Sequence, residues 1–70
     1  MLVNCAGIMH FRSVATTPWP LGQKILDIDL VAPLRLMSLA APAMVARGAG
    51  CVINVSSMAG RVPLRGCSFY

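Results

Sequence analysis

No Cys-x-x-Cys pair occurs in these 70 residues, and the cysteines, Cys5, Cys51 and Cys67, are odd in number. Neither a zinc knuckle nor a disulfide framework is indicated, and no metal site is expected. Isolated thiols among apolar residues fit a reducing, cytoplasmic compartment. Acids are scarce: Asp27 and Asp29 stand against six Lys/Arg, for a net charge of +4. The cations (Arg12, Lys24, Arg35, Arg47, Arg61, Arg65) are spread along the chain. A nucleic-acid footprint would cluster them, so no nucleic-acid partner is expected. A charged segment running into an apolar one is missing from the first residues, which argues against a signal peptide. A long uninterrupted apolar run is missing too. Residues 25–46 contain Asp27, Asp29, Pro33, Arg35 and Pro42. Each charge at mid-bilayer costs about 2.5–3.5 kcal/mol, so no membrane partner is expected either.

What is present is apolar surface in excess: 57% of residues are hydrophobic and 11% charged. A chain this short buries only about 60% of its unfolded surface. The surplus predicts faces meant for further chain or for a second subunit, and the sequence reads as part of a larger domain.

Met1-Leu2-Val3 reads as the end of an apolar strand that exits through Asn4-Cys5-Ala6-Gly7. Residues 8–22 are broken up by Pro18, Pro20 and Gly22. A helix is predicted from about residues 18–21 to Arg47, with Gly48 just past its end. Residues 51–55 are mostly β-branched, as in a buried parallel strand. Strand, crossover helix and strand make an α/β fold, a right-handed βαβ unit of a doubly wound parallel sheet. Parallel strands exit at one sheet edge, so Asn4–Gly7 and Ser56-Ser57 are predicted to face one crevice, where such sheets bind ligands.

At about 100° per residue the helix carries two apolar stripes. One holds Ile25, Ile28, Ala32, Leu36, Leu39 and Ala43; the other holds Leu26, Leu30, Leu34, Met37, Ala41 and Met44. Packing within a larger chain and a subunit interface are both open readings of the second face. Asp29 lies beside the first stripe, where a carboxylate is costly unless bonded. Pro33, four residues on, has no N–H, so it frees the Asp29 carbonyl. The pattern reads either as part of a site or as a kink with Asp29 bonded to nearby backbone.

These elements together resemble the short-chain dehydrogenase/reductase family over essentially the whole chain. Asn4-Cys5-Ala6-Gly7 is similar to the family's Asn-Asn-Ala-Gly turn, with Cys5 in the second Asn position. Ile53-Asn54-Val55-Ser56-Ser57 resembles the strand that carries the catalytic serine. Ser57 precedes Tyr70 by thirteen positions, the family spacing, and Tyr70 matches the tyrosine of Tyr-x-x-x-Lys. Ile28-Asp29-Leu30 resembles the family's Val-Asn-Leu, with Asp29 replacing asparagine.

The resemblance implies a Rossmann-type fold and an oxidoreductase that uses NAD or NADP on a small-molecule secondary alcohol or ketone. Tyr70, Ser57 and Asp29 would be catalytic, while Asn4, Ala6 and Gly7 would bind the cofactor. A phenol ordinarily titrates near pH ~10, so Tyr70 needs help from the family's lysine and the cofactor's cationic ring. The helix would join a homo-oligomer. Two family parts are not among these residues: the G-x-x-x-G-x-G phosphate turn and the lysine four positions after Tyr70. The 70 residues alone are therefore expected to be inactive. The alternative is a non-catalytic product that associates with a full-length subunit through its apolar helix. His10 is expected in solvent, Cys51 and Cys67 in packing, Trp19 as an anchor at the helix start, and Ser56 bonded to backbone.

Overall fold

Aliphatic residues near both ends of the chain build a two-stranded sheet. In a computed structural model that describes Met1–Tyr70, strand β1 (Leu2–Asn4) pairs in parallel with β2 (Val52–Asn54). The register sets Leu2 beside Val52, Val3 beside Ile53 and Asn4 beside Asn54. Backbone bonds of 2.8 Å, Leu2 N–H to the Cys51 carbonyl and Val55 N–H to the Asn4 carbonyl, close the two ends of the ladder. Strand β1 lies one residue later than the expected run, and β2 is one residue shorter than expected at each end.

The crossover helix runs as expected, with one interruption. Helix α1 (Trp19–Leu26) begins after Pro18, with a proline in its first turn where a missing N–H costs nothing. Helix α2 (Ala32–Arg47) ends at Gly48, whose φ of 70° is the left-handed conformation that closes many helices. Between them, Asp27–Val31 form a π-turn, in which Ala32 N–H reaches back five residues to the Asp27 carbonyl. Pro33 accounts for its place. A proline ring crowds the carbonyl four residues back, here that of Asp29, and widening the preceding turn relieves the contact.

The π-turn corrects the expected stripes. One extra residue shifts the helical phase by about 100°. Ile25 before it and Ile28 within it face the fold; Pro33, Met37, Ala40 and Met44 do so after it. Leu36 and Leu39, assigned to the same stripe as Ile25, are instead 46% and 64% exposed. Ile25 is the one buried apolar residue, and α2 has no buried residue at all. Each strand has a single neighbour. The unit is thus a slab of 47 × 24 × 13 Å with apolar helix and sheet faces open, as the excess of hydrophobic residues predicts.

Gly48 tests the helix boundary. Nothing lies within 4 Å of a Cβ placed there, so only its positive φ opposes substitution. Gly48→Ala is expected to destabilise the helix by about 1 kcal/mol, read as a lower urea midpoint in circular dichroism. An unchanged midpoint would contradict the left-handed cap.

Candidate active site

The two strand exits and the middle of the helix surround a cleft of about 540 Å³. That volume suits a small-molecule site. Strand β1 and its exit supply Asn4, Ala6 and Gly7; the π-turn supplies Asp29; the segment after β2 supplies Ser57 and Tyr70. All six residues singled out in the sequence line it. His10 does not, and it is exposed. Cys5 and Ser56 line the cleft as well. Cys51 was expected in packing but is exposed at the start of β2; Cys67 is half-buried, its Sγ 3.9 Å from Met9 Sδ.

Asn4 is buried, at 8% exposure, and its amide is satisfied across the sheet. Its Nδ2 donates to Asn54 Oδ1 at 2.8 Å, and Asn54 Nδ2 points to Met37 Sδ at 3.5 Å. The pair joins both strands to the helix at the mouth of the cleft. Asn54 was missed as a site residue, although aligning the polar ends of the two strands would have paired it with Asn4.

Asp29 is bonded to backbone, as one of the two sequence readings expects, and it also lies on the cleft. Its Oδ1 accepts the Ile8 N–H at 2.8 Å, so the carboxylate is bonded to backbone twenty-one positions away. It also lines the cleft, and Oδ2 is buried without a partner. Gly7 makes this approach possible: a Cβ there would stand 3.3 Å from Asp29 Oδ1, at the limit of contact. Helix and strand exit are therefore held together by one carboxylate oxygen over a bare glycine.

Ser57 has an extended backbone, and its Oγ accepts the Ala59 N–H at 3.2 Å, capping a short 3₁₀ turn over Met58–Gly60. A hydroxyl that accepts from backbone keeps its own proton free to donate. Tyr70 is 41% exposed on the cleft, with its N–H bonded to the Cys67 carbonyl at 3.2 Å. A hydroxyl donor and a phenol thus share a concave site with a turn of small residues. That set can hold an oxygen atom and exchange a proton with it.

Comparison with known proteins agrees. The model of the short chain dehydrogenase family matches residues 1–70. The chain is 36% identical over its full length to glycine betaine reductase ATRR of Emericella nidulans, covering 6% of that protein. It is 34% identical over its full length to epidermal retinol dehydrogenase 2 of Mus musculus, covering 23%. Among solved structures, 4-hydroxyisoleucine dehydrogenase complexed with NADH superposes with a TM-score of 0.92 at 28% identity, over 99% of this chain and 31% of that one. The chain thus spans less than a third of each of these proteins.

Removing the carboxylate tests the Asp29 clamp. Asp29→Ala leaves the Ile8 N–H without its acceptor and is expected to cost about 1–3 kcal/mol, with faster hydrogen exchange at Ile8. Asp29→Asn keeps an acceptor oxygen and is expected to hold Ile8 protection at the parent level. Equal Ile8 exchange in the alanine variant would contradict the clamp.

Proposed function

The chain belongs to the short chain dehydrogenase family, and from that premise we propose that it forms the catalytic edge of an NAD- or NADP-dependent oxidoreductase interconverting a secondary alcohol and a ketone. The observation that carries this reading is the convergence of Ser57 and Tyr70 with Asn4, Ala6 and Gly7 on one cleft. The 70 residues are proposed as a partial Rossmann domain holding the fourth strand, long helix, fifth strand and catalytic loop of the family fold.

The cleft fits one part of a dinucleotide. Small side chains line it after β1, and at Gly7 an added Cβ would close the space beside Asp29. Bound there, the nicotinamide would supply or take the hydride. The remaining work falls to this chain. Tyr70 passes a proton to the substrate oxygen as the ketone is reduced and takes one back in the reverse direction. Ser57 donates its free hydroxyl proton to the same oxygen and fixes it beside the phenol. Asn4, Ala6 and Gly7 hold the cofactor by backbone and close approach. Asp29 contributes its carbonyl, which receives no bond from Pro33, as a point for an ordered water.

Three further proposals rest on the same reading. The exposed leucines of the helix support a homo-oligomer, and the free thiols support a cytoplasmic location. These 70 residues contain no G-x-x-x-G-x-G turn, which supports inactivity of the isolated 70 residues. The open helix also favours the second reading, a non-catalytic chain that associates with a full-length subunit.

Two outcomes are expected. NAD(P)H fluorescence titrated with the 70-residue chain shows no saturable change; micromolar binding would overturn the need for a separate phosphate turn. In a protein that carries these residues together with the turn and the lysine, Tyr70→Phe lowers turnover by at least about a hundredfold, the usual worth of a general acid, while cofactor affinity stays the same. Near-parent turnover would remove Tyr70 from the chemistry.

A further inference from the structure

Phe69 and Tyr70 are neighbours that go to different places. Tyr70 lines the cleft, while Phe69 is half-buried against the first turns of α1. The Phe69 ring lies directly over Gly22. A Cβ built on Gly22 would stand 2.6 Å from Phe69 Cε1 and 2.8 Å from Cζ, closer than carbon atoms approach. Trp19 meets the same ring edge-on, with centroids 6.1 Å apart and planes at 66°, a favoured arrangement of aromatic pairs. Gly22 is buried in the interior of α1, where alanine is the better helix former. Helix formation therefore does not account for the glycine, and the ring does.

A second tether lies three residues before Phe69. Arg12 N–H donates to the Gly66 carbonyl at 2.9 Å, and Arg12 pairs with Cys67 in a parallel bridge. Gly66 has φ of 78°, and a Cβ there would stand 3.2 Å from the Arg12 nitrogen. The Tyr70 N–H then closes back on the Cys67 carbonyl at 3.2 Å. Residues before and within the start of the helix thus grip the loop at two points, and Tyr70 follows immediately after Phe69.

We infer that Gly22, Phe69 and Trp19 form an aromatic latch that positions Tyr70 on the cleft, with Phe69 acting through the backbone it shares with the tyrosine. The functional weight of the latch rests on the reading of Tyr70 as the proton donor; its existence does not. Phe69 and Gly22 are positioning residues. Neither touches the cleft, and each sets where the phenol stands.

The test is hydrogen exchange at the Tyr70 amide in the full chain, with the Val55 amide of the sheet as the folding control. Gly22→Ala pushes the ring aside and is expected to speed Tyr70 exchange at least tenfold, with Val55 unchanged. Phe69→Leu leaves a gap over Gly22 and is expected to do the same. Combining the two refills the gap, so Gly22→Ala/Phe69→Leu is expected to exchange more slowly at Tyr70 than either single variant, a coupling that two independent structural losses do not produce. If Gly22→Ala fails to fold, as Val55 exchange would reveal, Phe69→Leu alone decides the matter. Parent-like Tyr70 exchange in the folded single variants, or a double variant worse than both, overturns the latch. Tyr70→Phe keeps the latch and is expected to leave its own amide at the parent rate, so this inference and the proposed chemistry fail in separate measurements.

Discussion

Asn4 and Asn54 sit side by side at the point where the two strands stop pairing, and the rest of the site depends on that register. Their 2.8 Å amide bond ties the two side chains at the end of the ladder, which the Val55 N–H closes on the Asn4 carbonyl. Beyond it, one chain turns through Ala6 and Gly7 and the other through Ser57. A parallel strand slipped by one residue would exchange its two faces and carry Ser57 away from the turn. The buried Asn4 amide resists such a slip, because without Asn54 it would be left unsatisfied. The Met37 contact extends the tie to the helix, so three elements meet at the mouth of the cleft.

The helix answers to a different constraint. Pro33 removes one donor and crowds one carbonyl, and the chain responds with a π-turn at the height of the cleft. The same turn sets Asp29 against the Ile8 amide. A carboxylate here does one job well: Oδ1 holds the strand exit. It leaves Oδ2 buried and without a partner. An asparagine would offer a donor at that second position, so aspartate keeps the clamp but has an acceptor there in place of a donor.

Much of this was legible in the residues. Two apolar runs, a capped helix and a glycine stop at residue 48 are local signals, and all three appear where the pattern puts them. Parallel topology sends both strand exits to one edge, and Asn4, Ala6, Gly7 and Ser57 do line one cleft; Asp29 is singled out by Pro33, and Tyr70 by its spacing from Ser57, rather than by topology. The stripe assignment failed for a physical reason. A constant 100° period has no place for an inserted residue, so Leu36 and Leu39 were set on the wrong side of the helix. Asn54 and the Phe69–Gly22 contact were hidden because each joins positions far apart in sequence, and no periodicity reports on such pairs. The openness of the helix and sheet, in contrast, follows directly from a composition too apolar for seventy residues to bury.

The chain is a preassembled edge: a donor hydroxyl, a phenol and a small-residue turn stand around one cleft, and the apolar faces of helix and sheet are open. The central claim is hydride chemistry at that cleft. The direct measurement is deuterium transfer from NADH or NADPH carrying two deuterium atoms at C4 to a ketone, in a protein that joins these residues to a phosphate turn and a lysine. The account predicts alcohol carrying deuterium on its carbinol carbon. Alcohol formed without deuterium from either labelled cofactor would contradict it.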